Sequence, residues 1–165
     1  MSTVGTMDEL FLEELKDLYS AENQITKALP KMAKAASSKE LRAAFEHHLK
    51  ETEGHIERLE KVFDTLGKSA KGKTCEGMKG VLEEGAEELK EMEAGNVRDE
   101  AMISAAQRVE HYEMAAYGTV RSYAERLGKP KIAQLLQETL DEEKAADEKL
   151  TEIAEKLPIE AGAER

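Results

Sequence analysis

A chain of 165 residues, 36% charged and 40% hydrophobic, has the size and the core-forming capacity of a single domain, here taken as 1–165. Its formal charge of −11 argues against a nucleic-acid partner, which needs clustered Lys and Arg, and no stretch approaches the ~20 apolar residues of a membrane span. The start MSTVGTMDEL lacks the basic and apolar regions of a secretory leader, so a cytoplasmic protein without membrane or nucleic-acid partners is expected.

Heavy use of Ala, Glu, Lys and Leu, with three prolines and 4% aromatics, points to an all-α fold. Thr6 with Glu9 reads as a capping box that opens a first helix, α1, at 7–36. Pro30 is expected to bend it without ending it, because the apolar stripe continues through Met32 and Ala36. Ser37 with Glu40 reads as a second box, opening α2, which Gly67 closes. The polar run GKSAKGKT leads to a short helix, α3, near 75–94, weakened by internal glycines. The lone Cys75 lacks a disulfide or thiolate partner and reads as a bystander. A fourth helix, α4, follows Gly95-Asn96 over 97–127, and Gly128-Lys129-Pro130 ends it and opens a fifth, α5, that runs to about 157.

Two tight connections and one long one make two antiparallel hairpins joined by a crossover, 67–96, that carries its own short helix. The four long helices, of roughly 28 residues each, extend roughly 42 Å. The bundle covers about 7–157, and 158–165 reads as a polar tail.

Each long helix carries polar intruders in its apolar stripe. In α4 the stripe Ile103, Ala106, Glu110, Glu113, Tyr117, Val120 places two acids where leucine belongs. The others are Glu22 in α1, His48, Glu51 and His55 in α2, and Glu143 and Asp147 in α5. Glu142 falls off the seam, as do Asp141 and Glu148. Glu22 lies 15 residues before the α1–α2 turn at residue 37 and Glu51 lies 14 after it, so the two are level. Glu113 and Glu143 are level in the second hairpin by the same count. Counting one turn further pairs Tyr19 with His55, and Glu110 with Asp147.

A single inward Glu is ordinarily a boundary residue whose carboxylate reaches solvent. Six acids together, with no Lys or Arg in the stripes at these heights, call for a shared cation, since burying unpaired carboxylates costs several kcal/mol each. The expected ligands are Glu22, Glu51, His55, Glu110, Glu113, Glu143 and Asp147. His48 competes with His55, but its height favours a supporting or packing role; His47 and His111 read as surface residues.

The pattern is similar to the ferritin-like di-iron and di-manganese carboxylate proteins. More closely, LYSAENQ at 18–24, HLKET at 48–52, AAQRVEHYEMAAYGT at 105–119 and TLDEEKAADEKL at 139–150 resemble the YciE/YciF family of bacterial stress-associated proteins. The broader Glu-x-x-His motif is absent: Gly54 and Ala146 follow Glu51 and Glu143 at that spacing. Carboxylate bridges hold two metals about 3.5–4 Å apart, and hard oxygen ligands with an imidazole suit two iron ions, with manganese as the second candidate. Tyr19 and Tyr117 stand near enough to donate a hydrogen bond or an electron, though both also read as ordinary core tyrosines. Two readings stay open. One is an oxidoreductase of peroxidase or ferroxidase type in stress. The other is a stress-associated structural or interaction protein whose metal stabilises the bundle. Iron storage needs a hollow cage that nothing in the sequence specifies. The expected partners are metal ions and a second copy of the chain, as a homodimer.

Overall fold

The computed structural model describes residues 4–159, so 160–165 of the expected tail lie outside the described residues. Within them the chain forms five helices and no strand: α1 Met7–Ala35, α2 Lys39–Leu66, α3 Glu76–Lys90, α4 Asn96–Arg126 and α5 Pro130–Lys156. The capping box at Thr6 is formed on both sides: Glu9 N donates to the Thr6 hydroxyl at 3.2 Å and Thr6 N to the Glu9 carboxylate at 2.9 Å. Pro30 sits inside α1, which continues to Ala35. Gly67 ends α2 with φ 63°, a left-handed conformation that costs glycine least.

The start of α2 differs from expectation. Ser38, not Ser37, is the N-cap, accepting from Leu41 N at 3.2 Å, while the Glu40 carboxylate faces Lys149 and Lys156 across to α5. The remaining cap comes from α4: buried Asp99 accepts from Ser37 N at 2.9 Å and Ser38 N at 2.7 Å, and Arg98 donates to the Ala35 carbonyl at 2.6 Å. These bonds fasten the beginning of α4 to the α1–α2 turn. Consequently the α4–α5 turn lies at the opposite end of the bundle.

The crossover helix α3 packs on α1 and α4. Its glycines, which weaken it as an isolated helix, serve close packing: a Cβ at Gly77 would sit 2.6 Å from the Tyr112 hydroxyl, and one at Gly85 3.0 Å from Ala105 Cβ. Cys75 is its N-cap, with Sγ accepting from Met78 N at 3.4 Å and lying 3.2 Å from the Tyr112 hydroxyl. The thiol is therefore a buried structural group.

Two apolar clusters fill the bundle. One, at the α1–α2 turn end, includes Ile25, Leu29, Phe45, Met102 and Leu150; the other, at the α4–α5 turn end, includes Phe11, Leu59, Val120, Ile132 and Leu136. Between them lies a layer of buried polar side chains: Glu22, His48, Thr52, His55, Glu110, Glu113, Thr139 and Glu143.

Candidate metal centre

The polar layer resolves into two groups that share one residue. In the first, His55 Nδ1 lies 3.3 Å from Glu22 Oε1 and 3.0 Å from Glu143 Oε1; in the second, His48 Nε2 lies 3.0 Å from Glu110 Oε1 and 3.7 Å from Glu143 Oε2. In each group one donor atom per residue lies within 4.8 Å of the others. All four helices of the bundle contribute, and Glu143 turns one oxygen to each group. The two imidazoles meet edge to face, centroids 6.2 Å apart.

Each imidazole is anchored from behind by a further carboxylate. His55 Nε2 lies 2.8 Å from Glu142 Oε2, and Arg58 grips the same carboxylate with two bonds of 2.7 Å. His48 Nδ1 lies 3.3 Å from Glu51 Oε2, whose other oxygen is 3.2 Å from His47 Nε2. A histidine that donates one N–H to a carboxylate presents the lone pair of its other nitrogen in a fixed direction, which is how metal-binding histidines are held.

Several sequence expectations need correction. Glu142, expected off the seam, faces α2. Glu51 stands behind His48 rather than in the shared layer. His48 reaches the centre as directly as His55 does. Asp147 joins neither group: it is half-buried, with Oδ2 3.3 Å from His111 Nε2. Tyr19 bonds Glu60 at the surface and packs on Phe63, whereas buried Tyr117 stacks edge-on against His55 and donates to Glu22 Oε1 at 2.6 Å. Arg58 brings a cation beside the layer, gripping Glu142, donating to Thr139 at 3.2 Å and lying 3.5 Å from Glu138.

One cause sets which side chains meet across the two hairpins. The two turns lie at opposite ends, so moving away from one hairpin's turn means moving toward the other's. Glu110 and His48 therefore share the half nearer the α1–α2 turn, while His55 and Tyr117 share the half nearer the α4–α5 turn. The His48-x-x-Glu51 spacing is visible in the sequence as an i,i+3 pair. The Glu142 contact is not, because it requires the α2–α5 neighbourhood.

Electrostatics mark the same groups. Burial opposes charge on His55, but Glu143 and Glu22 outweigh it and raise its pKa to about 10. Burial likewise opposes charge on His48, and Glu110 and Glu51 overcome it. Burial, then the Glu22 and Glu143 charges, push Glu113 well above the ordinary carboxylate range, and burial with Glu110 raises Glu143 to about 8. Glu142 is held low by its bonds to Arg58, and Glu51 by its bond to His48. Without metal, protons serve as the counter-charge in this layer.

The donors fit a cation pair. Glu22 Oε2, Glu110 Oε2, Glu143 Oε2, both oxygens of Glu113 and His55 Nδ1 are buried without an aligned hydrogen-bond partner. Buried polar atoms are nearly always satisfied, so five carboxylate oxygens and an imidazole nitrogen left over in one layer mark a place built to be completed by positive charge.

Comparison with known proteins agrees with this architecture. A family model described as Domain of unknown function (DUF892) matches residues 6–161. Protein YciF of Escherichia coli (strain K12) is 49% identical over 150 residues, 90% of either chain. The crystal structure of the E. coli stress protein YciF matches with a TM-score of 0.88 at 48% identity, covering 92% of this chain and 96% of that one. YcfI of Rhodopseudomonas palustris matches at 0.87 and 44%, covering 90% and 94%. A ferritin-like, diiron-carboxylate protein of Bacillus anthracis str. Ames matches at 0.70 over 92% of this chain and 99% of that one; at 17% identity this likeness concerns the fold alone.

Proposed function

Since the chain belongs to the family described as Domain of unknown function (DUF892), we propose, from its site, that it is a ferritin-like di-metal carboxylate protein whose iron pair reacts with peroxide or dioxygen. The observation that carries this reading is Glu143: one buried carboxylate reaches two Glu/His groups at once, as a bridge between two ions must. Glu22 and His55 Nδ1 would hold one ion, Glu110 and His48 Nε2 the other, with Glu113 supplying further oxygens. A set rich in carboxylates with two imidazoles favours iron, then manganese, over zinc or copper. Bound there, such a pair would supply reversible one-electron chemistry.

The chain's own residues set the terms of that chemistry. Glu142 and Glu51 aim the imidazoles. Tyr117 donates a hydrogen bond to the Glu22 oxygen at 2.6 Å and closes the His55 side together with the apolar cluster beyond it. Water is excluded there, which strengthens every charge interaction in the layer. The E. coli relative is described as a stress protein, and a role in stress is proposed for this chain too, together with a cytoplasmic location.

Metal analysis of protein purified without chelators should find about two ions per chain, iron foremost. Anaerobic loading with Fe(II), followed by peroxide in stopped flow, should show oxidation faster than that of free Fe(II), and Glu143→Ala should abolish the difference. Oxidation no faster than that of the free ion would refute the oxidoreductase reading and leave the metal as a clamp across the two hairpins.

A further inference from the structure

The His55 side of the metal layer is covered by buried Tyr117 and the apolar cluster beyond it, whereas His48 borders a cavity. A cavity of about 410 Å³ runs from His48 and Glu110 toward the α1–α2 turn and opens between α2 and α5. Its existence follows from the sequence. Where larger side chains would fill the space, the lining has Ala28, Ala44, Ala106 and Ala146, with exposed Ala43 and Ala145 at the rim. Ala44 and Ala146 are half-buried at the mouth, and Ala106 is buried deep inside.

Protein interiors are close-packed, and empty volume costs stability in proportion to its size. A space with room for roughly 13 waters, walled mainly by hydrocarbon, is poorly suited to water and falls within the range of about 300–1,000 Å³ seen for small-molecule sites. Charge selects the occupant further. At the inner end Glu110 and Glu51 are engaged by His48 at 3.0 and 3.3 Å, and the rim lysine, Lys149, by Glu40 at 3.1 Å and Glu152 at 3.5 Å, so the lining charges face one another rather than an ionic ligand. An organic cation would have to shed water against alanine, leucine and phenylalanine walls.

We propose that this cavity binds an uncharged, largely hydrocarbon small molecule, which enters between α2 and α5 and stops against His48 and Glu110. Calling that molecule the substrate of the metal pair rests on the di-metal reading above; its binding does not. Held there, the molecule lies against the His48 half of the layer, and the asymmetry between the covered His55 half and the open His48 half gives it access from one side only.

The test uses the full chain, with and without metal, and the neutral probe N-phenyl-1-naphthylamine, whose fluorescence brightens in apolar surroundings. Saturable binding of about one probe per chain is expected. Ala44→Phe and Ala146→Phe fill the mouth and should each weaken binding about tenfold or more, with helicity and metal content unchanged. Ala146→Leu fills less and should weaken it less, which keeps the test valid should phenylalanine lower helicity. Absence of saturable brightening, equal brightening in the filled variants, or loss of binding as the chain self-associates would overturn the proposal. The last outcome would mean that a second copy covers the mouth. Probe binding without metal uptake would refute the metal reading and keep the apolar site, whereas metal uptake without probe binding would refute this inference alone.

Discussion

Glu142→Ala separates the three-dimensional site from the one the helical stripes imply. By its stripe position this substitution is silent. In the structure it removes the acceptor 2.8 Å from His55 Nε2 and both 2.7 Å partners of Arg58. Loss of a carboxylate that orients a ligating histidine lowers metal affinity about 10–100-fold, which is about 1.4–2.8 kcal/mol. The stability cost should be smaller. Glu142 and Arg58 keep 32% and 22% of their side-chain surface exposed, so water replaces much of what the pair loses; about 1 kcal/mol, or a fall of roughly 2–4 °C in Tm, is expected. The assay is competition with a chromogenic chelator, alongside thermal melts of metal-free protein. Glu148→Ala, on the exposed face of α5, is the control. Metal affinity in Glu142→Ala within about twofold of the parent would refute the argument that His55 is presented through Nδ1 by its bond to Glu142.

Metal-free protein should lose stability as pH rises from about 5 to 10. Glu143, raised from 4.5 to about 8, and His55, raised from 6.5 to about 10, both bind protons more tightly folded than unfolded, so their contributions are complete below the unfolded values and fade through the folded ones. Melts in chelator across that range check the sign, and metal affinity should rise with pH over the same window because binding displaces these protons. Glu113→Leu should raise the Tm of the metal-free chain by roughly 4–8 °C at neutral pH, by removing a buried carboxylate with no partner at an expense of about 2 kcal/mol, while lowering metal content. Tyr117→Phe strips Glu22 of its hydroxyl donor and should lower stability by about 1–2 kcal/mol in chemical denaturation, leaving helicity intact. Asp99→Ala leaves two backbone N–H groups at the α1–α2 turn without their acceptor; the expected result is a Tm lower by roughly 4–8 °C with metal content unchanged.

What the sequence determined by itself is local. Thr6 with Glu9, Gly67 and Gly128-Lys129-Pro130 bound the helices because caps and left-handed turns are decided within a few residues, and the helices end within about two residues of where these signals fall. The inward aim of Glu22, Glu110, Glu113, Glu143 and His55 was legible for a related reason: a wide apolar stripe orients its helix, and a residue at the centre of the stripe must face the core. Glu51, Glu142 and Asp147 lie nearer the flanks, where about 100° per residue leaves the outcome to whichever helix stands alongside. Arg58 and His55 decide it for Glu142, and His111 for Asp147. The level at which side chains from the two hairpins meet depended on contacts distant in the chain. Arg98 and Asp99 tie the start of α4 to the α1–α2 turn and place the other turn at the far end, so Glu110 meets His48, and Tyr117 meets His55. Periodicity within a helix carries no record of that choice, because reversing one hairpin end for end leaves every stripe unchanged.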